Sequence, residues 1–182
     1  MSVWRLAASM GLLLFAVCGL SACRSAAPQL DTLTQAEPDN TRQRAMRRLS
    51  LASAYFEQNQ NDVAQQEVRA ALQIDPQFAE AYSLLGLIHQ REKAPALAQA
   101  SFEQAISLAS KSPMRSADLA AIQHNFGWFL CQQNRFADSQ AQFDQALAQS
   151  SYRQADKTRQ ATALCKARAL LITDNPLSLP AQ

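Results

Sequence analysis

The sequence predicts an all-α chain built from a helical hairpin used several times. Two observations point there. The first is composition: hydrophobic residues make up 48% of the 182 residues, charged residues 18%, glycine is scarce, and no run alternates with the period of a strand. The second is the placing of the only two glycines beyond the first twenty residues. Gly86 and Gly127 both sit inside apolar-periodic helical segments, Tyr82–His89 and His124–Cys131. A mid-helix glycine costs about 1 kcal/mol against alanine. One kept there marks a place where another backbone comes very close. Two in similar surroundings point to one helix used twice.

The length allows one modest domain. The net charge of +2 selects no partner, and no basic stripe carries interleaved aromatics. Nucleic acid is therefore not an expected partner.

The chain opens with a secretory pattern. Arg5 is the only charge before Arg24, Leu6–Leu20 is apolar, and small residues follow. Residues 1–22 are read as a signal peptide. The ending Leu20-Ser21-Ala22-Cys23 resembles the bacterial lipobox, in which Cys23 becomes the lipidated first residue of the mature protein. The alternative is a membrane-spanning anchor, because the uncharged span Leu6–Cys23 has 18 residues, the lower limit for crossing a bilayer. Several acyl chains would hold stably where one holds marginally. By resemblance to Gram-negative sorting, Arg24 in place of an aspartate implies the outer membrane, with the domain facing the periplasm. Residues 23–40, with Pro28, Pro38 and few large apolar residues, read as a flexible tether.

The repeat region follows at 41–152. Setting Gly86 at position 8 of a 34-residue unit starting at Ala79 puts Tyr82 at 4, Leu85 at 7, His89 at 11, Ala98 at 20, Phe102 at 24 and Ala105 at 27. A unit starting at Ala45 aligns Leu51, Ala52, Tyr55, Ala64, Val68 and Ala71 at 7, 8, 11, 20, 24 and 27. One starting at Ala120 aligns Phe126, Gly127, Leu130, Ser139, Phe143 and Ala146 there. The units 45–78, 79–112 and 120–153 resemble three tetratricopeptide repeats. In such hairpins small residues at 8, 20 and 27, here Ala52, Gly86 and Gly127 at 8, let the helices touch. Larger residues at 4, 7, 11 and 24 fill the gaps. Asn59-Gln60-Asn61 and Asn134-Arg135 are the expected turns, since asparagine tolerates left-handed backbone. A further half repeat, 154–172, starts at Gln154, with Ala161 at 8, Leu164 at 11 and Cys165 at 12. Asp174-Asn175-Pro176 ends it in a tail, 173–182. This last helix is read either as a cap or as the place where a longer array is cut short.

The third-repeat segment His124-Asn125-Phe126-Gly127-Trp128-Phe129-Leu130-Cys131 resembles the Asn-Asn-Tyr-Gly-x-Phe-Leu-Cys signature of the PilF/PilW family of type IV pilus biogenesis lipoproteins. Phe143-Asp144-Gln145-Ala146-Leu147 and Ser151-Tyr152 fit as well. The resemblance implies a pilotin: a lipoprotein that brings the secretin, the outer-membrane ring through which the pilus emerges, to the outer membrane and supports its assembly. The other reading is a repeat scaffold of another envelope system, holding peptidoglycan enzymes or an outer-membrane assembly machine.

In tetratricopeptide repeats the concave face takes positions 2, 5, 6, 9, 12 and 13. Candidate partner-binding residues are Leu49, Ser53, Leu84, Leu87, Asn125 and Trp128, with Phe56, Arg91 and Gln132 on the same face. Trp128 is either an anchor for a peptide or helix, worth about 2 kcal/mol at an interface, or a packing residue against a neighbouring helix. The repeat type that grips a terminal carboxylate presents lysine at 5 and asparagine at 9 of its first unit. Leu49 and Ser53 stand there, so that grip is not expected. His89 and His124, the only histidines, lie in different units without neighbouring ligands, so no metal is expected. No nucleophile–base pair or phosphate loop is found, which predicts no catalysis, no cofactor and no small-molecule substrate. Arg42–Arg48 reads as a solvated helix face.

Cys131 and Cys165 are 34 residues apart and both fall at position 12. Equivalent positions on adjacent helices face the same way. Helix axes pack about 8–10 Å apart and a disulfide needs Cα atoms within about 7 Å, so an oxidising compartment favours a bridge. Two buried free thiols are the alternative.

Overall fold

The computed structural model describes residues 38–111 and 116–174. The stretch read as a signal peptide, Cys23, most of the stretch read as a tether and residues 175–182 lie outside them. Within them the chain forms seven α-helices: α1 (Pro38–Glu57), α2 (Asn61–Ile74), α3 (Ala79–Arg91), α4 (Pro95–Ser110), α5 (Ser116–Gln132), α6 (Phe136–Leu147) and α7 (Ala155–Asp174). No strand occurs among the described residues. The all-α expectation holds. α1 starts inside the stretch read as tether, and α7 runs two residues into the stretch read as tail.

The helices pair in sequence as α1/α2, α3/α4 and α5/α6. Each hairpin turns on one left-handed residue, Asn59, Lys93 or Asn134, all at φ 60°. After each, the next amide donates back to the helix: Gln60 to Tyr55, Ala94 to His89 and Arg135 to Leu130, each at 2.9 Å. This closes the orphan carbonyls of the first helix in the same way three times. Lys93 was not legible as a turn residue, because it lacks the asparagine side chain that favours this backbone.

Position 8 faces position 24 inside each hairpin. A Cβ on Gly86 would sit 2.9 Å from the Phe102 ring, and one on Gly127 would sit 2.8 Å from the Phe143 ring. The close neighbour is thus an aromatic ring, where the sequence suggested a backbone. In α1/α2 the same places hold Ala52 and Val68, both fully buried. A larger residue at 8 goes with a smaller one at 24, so the helices close to similar depth. Ser139 at position 20 donates its hydroxyl to the Gly127 carbonyl at 2.8 Å.

Successive hairpins meet through positions 3, 7 and 10 of the first helix. Ala81 and Ile88 are fully buried, and Ile122, Phe126 and Phe129 are buried beside the preceding hairpin. The first unit shows Arg47, Leu51 and Ala54 at these places, all exposed, because no described helix precedes it. Leu51 at position 7 therefore fills no gap, contrary to expectation.

Thr158, Thr162 and Cys165 are the buried residues of α7 that take the roles of 3, 7 and 10. The last unit thus begins at 156, two residues later than 154, because the α6–α7 connection is longer. Leu164 moves from packing position 11 to concave position 9, and is 62% exposed. The places that would face a second helix now hold Arg159, Ala163 and Lys166, all exposed. This face of α7 packs on no second helix among the described residues.

Arg42 is no solvated charge. It pairs with Asp75 at 2.7 Å and Glu80 at 2.9 Å while lying over the Phe78 ring, tying α1 to the α2–α3 turn. Arg48 pairs with Glu67 at 2.9 Å.

Candidate partner-binding cleft

An open cleft of about 420 Å³ runs between α3, α5 and α7. Leu87 from α3, His124, Asn125 and Trp128 from α5, and Lys157, Gln160, Ala161 and Leu164 from α7 line it. In the corrected register all eight stand at concave positions 2, 5, 6 or 9. Leu87, Trp128 and Leu164 each hold position 9 of their unit, so one apolar stripe crosses three first helices.

Trp128 does both things weighed from sequence. It is half-buried against Cys131, Phe143, Ala161 and Cys165, and its remaining face lines the cleft. Asn125 donates to the Ser83 hydroxyl at 3.2 Å, which ties α5 to α3 beneath the cleft.

The other predicted contacts are elsewhere. Leu84 is buried in the core between the first two hairpins, with Leu49 packed against it. Ser53 turns its hydroxyl back to the Leu49 carbonyl at 3.0 Å. Phe56 is covered by the Arg91 guanidinium, which also reaches Asn59. The first repeat therefore contributes no residue to this cleft: Leu49 is taken up by the core and Phe56 by Arg91.

His124 was read only as an unlikely ligand, and its structural role was missed. Its ring is buried, with Nδ1 2.9 Å from the Thr158 hydroxyl, and Tyr152 brings its own hydroxyl to the same oxygen at 2.9 Å. Burial, with Lys157 nearby as the lesser cause, lowers its pKa from 6.5 to about 4. The imidazole is neutral at ordinary pH and supplies a hydrogen bond rather than a charge. The α7 residues Lys157, Gln160, Ala161 and Leu164 were also missed as cleft residues. The signal that would have found them is α7's own amphipathic pattern, with apolar or small Thr158, Thr162 and Cys165 at spacings of four and three.

The Sγ atoms of Cys131 and Cys165 face each other across α5 and α7, with Cα atoms 5.8 Å apart. In the corrected register they occupy positions 12 and 10, so they meet across the helix pair rather than as equivalent residues. Among the described residues no three His, Cys, Asp or Glu side chains gather to hold a metal ion. No helix there is long and apolar enough to cross a membrane.

Family models described as tetratricopeptide repeat and TPR repeat match residues 77–151 and 52–92. The chain is a tetratricopeptide-repeat protein. It is 31% identical over 121 residues to an uncharacterized protein of Haemophilus influenzae, covering 66% of this chain and 64% of that one. It is homologous to the type IV pilus assembly protein PilF of Pseudomonas aeruginosa, at 27% identity over 121 residues, 66% of this chain and 44% of PilF. The crystal structure of PilW, described as a widely conserved type IV pilus biogenesis factor, superposes with a TM-score of 0.62 at 32% identity, over 72% of this chain and 57% of PilW. The structure of P. aeruginosa PilF shares the fold, with a TM-score of 0.61 at 24% identity over 71% and 54% of the two chains. The resemblance read from the third-repeat signature is thus borne out as kinship. This tetratricopeptide-repeat chain spans only 44% to 64% of the curated relatives it matches.

Proposed function

We propose that this protein serves type IV pilus biogenesis as a pilotin: an outer-membrane lipoprotein, facing the periplasm, that binds the pilus secretin through its repeat groove and supports secretin assembly. The observation that carries the proposal is the homology to PilF combined with an apolar cleft on the concave face, built around Trp128. Such a cleft suits a protein segment, since aromatic anchors in partly desolvated pockets dominate interface energies. The role is one of binding rather than catalysis.

Two covalent features belong to the proposal. Cys23 carries the lipid, supported by Leu20-Ser21-Ala22-Cys23. Cys131 and Cys165 are oxidised to a disulfide in the periplasm, supported by their 5.8 Å Cα spacing.

Deleting the gene and following the secretin tests the role. The expected result is loss of heat- and detergent-resistant secretin multimers from the outer membrane, restored by the wild-type gene. Normal secretin multimers in the deletion, with altered cell-wall hydrolase localisation instead, would overturn it. For the anchor, Cys23→Ser should abolish incorporation of labelled fatty acid. Unchanged labelling would remove Cys23 from the account.

A further inference from the structure

The cleft is mostly apolar, yet its rim carries one full charge. Lys157 is exposed on the first turn of α7 and lines the cleft. Its ammonium takes part in no hydrogen bond or ion pair among the described residues. The other charges of that turn cancel, because Asp156 and Arg159 pair with each other and do not line the cleft. No Asp or Glu lines the cleft. His124, beneath it, is neutral. The amino end of α7 adds positive potential at the same spot, since a helix N-terminus carries roughly half a positive charge. Leu164 lies seven residues further along α7, on the same face, opposite Trp128.

From this juxtaposition, and resting on the secretin-binding reading, we propose that the cleft selects a partner segment carrying a large apolar side chain together with an aspartate or glutamate about three residues away in extended chain. The apolar side chain seats between Leu87, Trp128 and Leu164, and the carboxylate meets Lys157. The spacing follows from geometry. Seven helical residues rise roughly 10 Å at 1.5 Å each, and three residues of extended chain cover about 10 Å. Gln160, between the two subsites, has an amide with no internal partner among the described residues and can hydrogen-bond the intervening backbone. A single rim charge sets selectivity and association rate more than raw affinity.

The test measures binding of the full-length protein to the purified secretin as a function of salt. Lys157 and Leu164 are both exposed, so their variants leave the fold intact. Lys157→Arg should bind like wild type. Lys157→Gln should weaken binding three- to tenfold and flatten its salt dependence, and Lys157→Glu should weaken it more than tenfold. Leu164→Ala should weaken binding with the salt dependence unchanged. If Lys157→Glu binds within twofold of wild type while Leu164→Ala is weakened, the cleft is used but reads no acid, and this inference fails alone. If wild type does not bind the secretin at all, the functional reading itself fails.

Discussion

The interior of the α5/α6 hairpin and the cleft beside it are both apolar, share the helix α5, and differ in one respect: one is filled and the other is open. Phe143 is fully buried against Gly127 so tightly that a single added carbon would lie 2.8 Å from its ring. The next residue, Trp128, is only half-buried, and Leu164 across the cleft from it is 62% exposed. The same helix thus spends one face on its own stability and presents the other for something else. The difference separates two kinds of substitution. Changes on the filled side should cost stability, and changes on the open side should cost binding.

The largest effect is expected from Phe143→Ala. Emptying the hairpin should destabilise the protein by about 3–5 kcal/mol, read as a lower denaturant midpoint. A loss below about 1 kcal/mol would mean the interior collapses freely and is not tightly filled. Next comes the Cys131–Cys165 pair. Closing a loop of this size contributes about 3–4 kcal/mol in the chain-entropy account, and Cys131→Ser with Cys165→Ser should lose that and loosen α7. Thiol counting on the unfolded, unreduced mature protein should find neither cysteine free. Two free thiols would remove the bridge.

A smaller effect, about 1–3 kcal/mol for overpacking, is expected for Gly127→Ala. The first hairpin shows the remedy: Ala52 is tolerated there because Val68, not phenylalanine, stands opposite. Adding Phe143→Val to Gly127→Ala should therefore cost less than the two single changes summed. Strict additivity would break the link between positions 8 and 24.

A further effect depends on pH. Folding lowers the His124 pKa from 6.5 to about 4, so the unfolded chain takes up this proton first. The contribution of neutral His124 is fully present above pH 6.5, declines as pH falls below that value, and is gone below about 4. Thermal melts of wild type and His124→Asn should therefore converge as pH drops through this window. Parallel curves would show that folding does not shift the His124 pKa.

What the sequence disclosed follows the same division. The hairpins were legible because filling an interior imposes a small–large rule at fixed spacing, seen in Gly86 with Phe102 and Gly127 with Phe143. The turns at Asn59 and Asn134 were legible because asparagine announces left-handed backbone, and the turn at Lys93 was not. The cleft was only half legible. Trp128, Leu87 and Asn125 were found by register, but Leu84 and Leu49 belong to the core and Ser53 bonds back within its own helix. The residues of α7 were missed because a longer connection before Ala155 shifts its register by two. Alignment to a fixed 34-residue unit passes over that shift, whereas the burial of Thr158, Thr162 and Cys165 reveals it.

The most direct measurement is the affinity of Trp128→Ala for the purified pilus secretin, with helical circular dichroism recorded on the same sample. An anchor of this kind is worth about 2 kcal/mol, so binding should weaken roughly thirtyfold while the helical signal stays near that of wild type. Secretin binding within twofold of wild type, by a chain that keeps its helices, would contradict the claim that the cleft beside α5 is where the partner docks.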